Sequence, residues 1–434
     1  MAEPDEYAPV VSGLQLLLDD VAPRTEGALA DYIPELARAD PERFGIALVS
    51  MDGHVYGVGD AEVPFTIQSV SKPFVYALAL ADLGLHEVLE RVGAEPSGEA
   101  FNAIRLDPVT GRPPNPMVNA GALLTTSLVR AADPGERFER IRGCLSAFAG
   151  RELEVDETLY ASELGSASRN RALAYLMQSA GSLRADVEET IDVYCRQCSV
   201  AVTARDLGVM AATLANGGVN PVTGAQVVTE AVAVRALSLM ATCGMYDFSG
   251  EWLLRVGLPA KSGVAGGLIA VSPAEFGIGV FSPRLDARGN TVRGVAVARE
   301  LSERFDLHLM HHPGRTAPVV YLRAHETSAD GRRVAVLGAQ GDLEFAAAER
   351  LLWAIDEALG DGADTAAVLL LDMHRVTRVH LIAERMLDRR LAAAAARGIE
   401  VGLVHQQQLE VQLDAGARFD SRDAALAWAG IPST

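Results

Sequence analysis

Two side chains raise the first chemical question. Ser69 and Lys72 stand three residues apart in Ser69-Val-Ser-Lys72, with Pro73 directly after them. A serine hydroxyl attacks a carbonyl carbon poorly until a neighbouring base takes its proton. A lysine becomes such a base when apolar surroundings hold it neutral, and Phe65, Ile67, Phe74 and Val75 are close enough in sequence to supply them. Proline fits the first turn of a helix, so the pair is expected at a helix start, on one face, where free backbone N–H groups can meet a developing oxyanion.

Composition sharpens the question. Of the 38 basic residues in this 434-residue chain, only Lys72 and Lys261 are lysines and the other 36 are arginines. Arginine fills every ordinary cationic role here, and what it cannot do is give up its proton. The second lysine opens Lys261-Ser-Gly263. An early Ser-x-x-Lys followed by a late Lys-Ser/Thr-Gly is the signature of the serine enzymes that recognise penicillin.

The elements that must position these residues are legible as patterns. Residues 43–58 read as a β-hairpin, with Asp52-Gly53 as a two-residue turn. From Lys72 to about Val234 the periodicity is helical, with a break at Asn216-Gly-Gly218. Strand-like runs then return at 266–272, 276–282 and 291–298, the last two joined by a turn at 288–290, before a helix at 299–310. The glycine-rich apolar stretch 263–281 contains Pro273 and Glu275 and reads as two buried strands rather than a membrane span. An N-terminal sheet completed far downstream, around a helical insert, is an α+β layout. A break at 308–318 separates a domain over 1–310 from a second over 316–431. The second alternates strand (334–337), helix (345–359), strand (367–372), helix (380–397), strand (399–404) and helix (421–429), a small α/β domain.

From about Leu17 to Phe305 the chain resembles the serine-dependent glutaminases, whose fold is β-lactamase/transpeptidase-like: an antiparallel sheet with a helical insert. The matching stretches include Tyr32-Ile-Pro-Glu-Leu36, Phe65 to Pro73, Glu95-Pro-Ser-Gly98, Asn115-Pro-Met-Val-Asn-Ala-Gly121 and Ser162-Glu163. They continue with Arg169-Asn170, Cys243-Gly-Met-Tyr-Asp-Phe-Ser-Gly250 and Leu258 to Gly267. The resemblance implies hydrolysis of L-glutamine to L-glutamate and ammonia, with Ser69 as nucleophile and the N–H groups of Ser69 and Val264 as the oxyanion site. Lys72, Tyr246 and Tyr32 would share the proton transfers, and which of them is the base stays open. Glu163 would meet the substrate ammonium, while Asn119, Asn170 and Tyr194 bind its polar ends. Lys261 either orients the cleft or forms a structural ion pair. Homodimers or homotetramers are implied, and no cofactor. A β-lactamase, carboxypeptidase or esterase on the same fold is the enzymatic alternative, and a catalytically dead binding protein the other.

Residues 316–431 resemble a STAS domain through Gly341-Asp-Leu-Glu-Phe345 and Val368-Leu-Leu-Leu-Asp372. His380-Leu-Ile-Ala383 stands where that family carries its phosphorylated serine, so a regulatory or assembly module without the phospho-switch is expected, with a regulatory protein as its partner. A formal charge of −19 argues against nucleic acid and anionic membrane as partners. Cys195 and Cys198 have metal-ligand spacing without a second pair, and read as buried free thiols. His308, His311 and His312 read as a frayed helix end; no metal site is expected. Residues 1–10 carry no basic, apolar leader pattern, and the free thiols make a reducing cytoplasm the expected compartment.

Overall fold

The computed structural model describes residues 8–98, 106–311, 318–360, 362, 365–404, 413–414 and 416–431. The chain divides into two compact units, Met1–His311 and His312–Thr434. Residues 312–317, within the break read from sequence, lie outside the described residues, as does His312.

The first unit is built on a five-stranded antiparallel sheet in the order β2-β1-β7-β6-β5. Its strands are β1 (Gly45–Ser50), β2 (Val55–Gly59), β5 (Ala260–Ser262), β6 (Gly267–Ser272) and β7 (Phe276–Phe281). β1 pairs with β7 in the register Ile46↔Val280 and Leu48↔Ile278, so the sheet begun near the N-terminus closes more than two hundred residues later. A two-stranded ladder, β3 (Phe65–Thr66) with β4 (Ala201–Val202), sits apart. The helix Ala204–Ala215 is buried on nearly every side and lies against β7 and β1. Glycine makes that approach possible. A Cβ on Gly277 would stand 2.1 Å from the Ala212 nitrogen, and one on Gly279 would stand 2.1 Å from the Ala204 carbonyl oxygen. The helices between Lys72 and Cys243 form their own core around Phe74, Phe148, Ile141 and Met210.

Two local readings are corrected. The β1–β2 hairpin turns through three residues rather than two, because Ser50 N–H donates to the His54 carbonyl and Gly53 takes φ +82°. Residues 291–298 are helical, not a strand: Thr291 caps the helix Val292–Phe305 by accepting from Gly294 N–H. The run Val295-Ala-Val-Ala298 imitates strand alternation, but the N-cap starts a helix whose Val297, Ala298 and Leu301 face the core.

The second unit holds a mixed sheet in the order β12-β11-β10-β9-β8. β8 (Val320–Thr327) is antiparallel to β9 (Arg333–Leu343), while β9, β10 (Val368–Val379), β11 (Glu400–Val404) and β12 (Ala417–Phe419) run parallel. The helices Phe345–Leu359, Leu381–Ala396 and Arg422–Trp428 follow the sequence reading closely, with Gly398 at φ +82° after the second and Ser421 capping the third. β8 and β12 have no counterpart in that reading, and β9 and β10 run several residues longer. Their extra residues are partly exposed and charged, which hides them from apolar pattern. No helix among the described residues is long and apolar enough to cross a membrane.

Candidate active site

Ser69 lies in a 3₁₀ turn, Gln68–Ser71, which runs directly into the helix Lys72–Leu83 with Pro73 in its first turn. In a 3₁₀ turn residues i and i+3 eclipse one another, and Lys72 Nζ accordingly stands 3.1 Å from Ser69 Oγ. The turn is pinned from outside by Ile67 N–H donating to the Val200 carbonyl at 2.8 Å. Gln68 holds φ +48°, an uncommon conformation for a residue with a side chain, immediately before the serine. Tyr246, at φ +59°, is a second such residue, and it follows two positions after Gly244, where a Cβ would fall 1.7 Å from the Ala260 carbonyl oxygen.

Lys72 is fully buried, and burial draws its ammonium down to about 8. It donates to Asn119 Oδ1 at 2.8 Å, and Asn119 Nδ2 donates to Asn170 Oδ1 at 3.1 Å. Asn119 begins the helix Asn119–Leu128, whose start is built by Asn115: its Oδ1 accepts from Met117 and Val118 N–H, and its Nδ2 donates to the Glu95 carbonyl. A neutral Lys72 amine can therefore donate to Asn119 while turning its lone pair to the serine hydroxyl.

Tyr246 is buried, and its hydroxyl donates to the Ser262 carbonyl at 2.9 Å; burial holds its proton on well above the usual tyrosine range. Lys261 lies in β5 and also donates to that carbonyl, at 2.6 Å, with its Nζ 4.1 Å from the Tyr246 ring centre. Burial, and then the neighbouring Lys72, press Lys261 well below the usual lysine range. Lys261 has no carboxylate partner among the described residues, so the ion-pair reading gives way to a positioning one.

Across the cleft, Glu163 on the helix Glu157–Ser166 receives Tyr32 Oη at 2.7 Å and Gln68 Nε2 at 2.9 Å. Both bonds fall on Oε1, which leaves Oε2 for another donor. Burial raises the Glu163 carboxyl above its ordinary value. Tyr32 has a half-exposed ring, but its hydroxyl end is buried against Glu163 and its proton is held on more tightly than usual.

A cleft of about 640 Å³ joins these groups. Tyr32, Ser69, Asn119, Glu163, Asn170, Tyr194 and Val264 line it, while Lys72 and Tyr246 stand behind that wall. The main-chain N–H groups of Ser69 and Val264 donate to no carbonyl among the described residues, which leaves them available to an oxyanion. Gln68 and Cys198 also line the cleft, and sequence reasoning assigned neither a part there. Gln68 carried one signal, its place beside Ser69. Cys195 and Cys198 are buried free thiols; burial, and after it Glu163, push Cys198 up to about 12, so it stays protonated. Among the described residues no group of three or more His, Cys, Asp or Glu side chains could hold a metal ion.

The geometry places a serine hydroxyl beside a desolvated amine at one end of a cleft and a carboxylate at the other. Residues 27–310 match the family model described as Glutaminase. The chain is 58% identical over 287 residues to Glutaminase 2 of Bradyrhizobium diazoefficiens, covering 66% of this chain and 46% of that one, so it spans about half of that relative's length. It is 44% identical over 395 residues to the glutaminase of Corynebacterium glutamicum, covering 91% and 93%. The solved structure of Mglu superposes with a TM-score of 0.82 at 42% identity, covering 92% of this chain and 99% of that one. The probable glutaminase ybaS gives a TM-score of 0.69 at 38% identity, covering 71% and 100%.

Proposed function

The chain belongs to the glutaminase family of amidohydrolases, and from that premise we propose that it hydrolyses L-glutamine through Ser69. The observation that carries this reading is the 3.1 Å approach of Lys72 Nζ to Ser69 Oγ at one end of a cleft whose other end presents Glu163. Neutral Lys72 takes the Ser69 proton as Oγ bonds to the side-chain amide carbon. The oxyanion is met by the N–H groups of Ser69 and Val264. Collapse breaks the C–N bond, and Tyr246, kept protonated by burial, supplies the proton that lets ammonia leave. The Lys72 ammonium passes its proton on to Tyr246 and is neutral again, so Lys72 can take a proton from the water that attacks the γ-glutamyl ester and return it to Ser69 Oγ as the ester C–O bond breaks and glutamate leaves. Glu163 Oε2 takes the substrate ammonium, and Asn119, Asn170 and Tyr194 receive its polar ends. Tyr32, tied to Glu163 Oε1, acts as a positioning residue rather than the base. Mglu, solved in a glutamate form, supports a product site of this kind.

The second unit, in this reading, is a STAS-like module that assembles or regulates homodimers or homotetramers. Its parallel β9–β12 ladder with covering helices supports that likeness.

Ammonia release from L-glutamine by the wild type and by Ser69→Ala tests the catalytic proposal. Loss of release in the variant is expected, and equal release in both overturns it. Turnover of nitrocefin or p-nitrophenyl esters in place of glutamine would favour the penicillin-recognising alternative.

A further inference from the structure

A second built cluster lies in the C-terminal unit, around the point where β10 parts from β11. Asp372 ends the apolar run of β10 and pairs with Val404 on one side and Gly338 on the other. A Cβ on Gly338 would come within 2.5 Å of the Tyr321 ring. The bare glycine therefore lets that ring lie flat across β9, and its hydroxyl reaches Asp372 Oδ2 at 2.7 Å. Arg422 donates to the same oxygen through Nε at 3.1 Å and Nη2 at 2.9 Å, and Nη2 also reaches the Tyr321 hydroxyl at 3.0 Å. His374 N–H donates to Oδ1 at 3.0 Å.

The buried carboxylate is thus consumed by its own partners. Its work is to aim Tyr321 and Arg422. The β9–β10 register breaks after Asp372 and resumes with Arg375 opposite Gln340, so the irregularity falls on Met373 and His374, directly before Arg375. Its guanidinium lies 4.3 Å from the Tyr321 ring centre, is exposed, and makes no ion pair with a described residue. Nη1 of Arg422 is likewise engaged by no described residue. These groups, with His374 and Ser421, line a groove of about 480 Å³. The groove opens at the carboxyl ends of parallel strands, where α/β sheets place their ligands.

We propose that this groove binds a phosphate group, free or carried on a small metabolite, between Arg375, Arg422 and the Ser421 hydroxyl. The guanidinium fork of Arg375 and the remaining Nη1 of Arg422 match phosphate oxygens in geometry and charge. One of them is oriented by Asp372 and Tyr321, the other stacked on the same ring. The site owes nothing to the chemistry at Ser69.

Calorimetric titration of the full chain with inorganic phosphate, adenosine monophosphate and adenosine tests it. One-to-one binding of phosphate or the monophosphate is expected, with none for adenosine. Equal affinities for the two anions assign free phosphate, and tighter binding of the nucleotide assigns the phosphorylated metabolite. Arg375→Glu, a surface change that leaves the fold intact, should weaken binding by about tenfold or more. Gly338→Ala, which displaces the Tyr321 ring, should weaken it independently. No binding of either anion at about 10 mM, adenosine binding as tightly as its monophosphate, or wild-type affinity in Arg375→Glu would each overturn the proposal.

Discussion

In the proposed reaction Ser69 and Lys72 form a reacting pair only while Lys72 is neutral, and that ties rate to pH in a definite direction. With its ammonium drawn down to about 8 by burial, the fraction able to accept the serine proton rises about tenfold per pH unit below that value and levels above it. The kcat/KM for glutamine should therefore climb through pH 7 and flatten past about 8, and a flat profile from pH 6 to 9 would remove Lys72 from the role of base. Lys72→Arg keeps the charge but can never release its proton. Turnover should fall by about 10²–10⁴-fold, measured as ammonia released under saturating glutamine. Glu163→Gln tests the other end of the cleft. It keeps a carbonyl oxygen for Tyr32 and Gln68 but loses the charge that meets the ammonium, so KM should rise about 10- to 100-fold with a much smaller change in kcat. At this scale the sequence was most readable where residue type alone carries chemistry. Gln68 was not readable, because a glutamine becomes informative only once its amide is seen 2.9 Å from Glu163.

At the scale of elements, the site depends on turns and close approaches that set side chains by fractions of an ångström. The helix carrying Asn119 is seated on the Asn115 turn through Gly121, where a Cβ would lie 1.8 Å from the Asn115 carbonyl oxygen. Gly121→Ala must move one of them, so it should cost about 1–3 kcal/mol of stability and displace Asn119 from Lys72. A lowered Tm together with reduced turnover is the expected pair of readings. Gly143 is the contrasting case: it lies within the helix Pro134–Ala149 with nothing within 4 Å of an added Cβ. Gly143→Ala should stabilise by about 0.5–1 kcal/mol and leave turnover alone. If both substitutions behave alike in thermal unfolding, the packing argument fails. Helical periodicity marked the stretch from Lys72 to about Val234 without dividing it into these helices, and at 291–298 the strand-like β-branched run is overruled by the Thr291 cap.

At the scale of the whole molecule, the two units are separable in relatives: ybaS matches over its full length while covering 71% of this chain. A fragment ending at His311 should fold and release ammonia from glutamine at a rate within a few-fold of the full chain. A soluble, folded fragment without activity would make the second unit part of the catalytic machinery. By itself the sequence determined the spacing of Ser69 and Lys72, the family over the first three hundred residues, and the alternation of strand and helix in the second unit, since each of these is local in type or spacing. Only the tertiary structure decided that residues 32, 69, 119, 163, 170, 194 and 264 face one cleft, and that Lys261 meets a carbonyl rather than a carboxylate. It also decided that Tyr32 serves Glu163, and that Gly338 makes room for Tyr321. Those facts rest on long-range pairings, above all the return of β6 and β7 to a sheet begun at β1. A pattern of residue types along the chain holds no record of which distant surfaces will meet, because burial and close packing choose among pairings that local periodicity leaves equivalent.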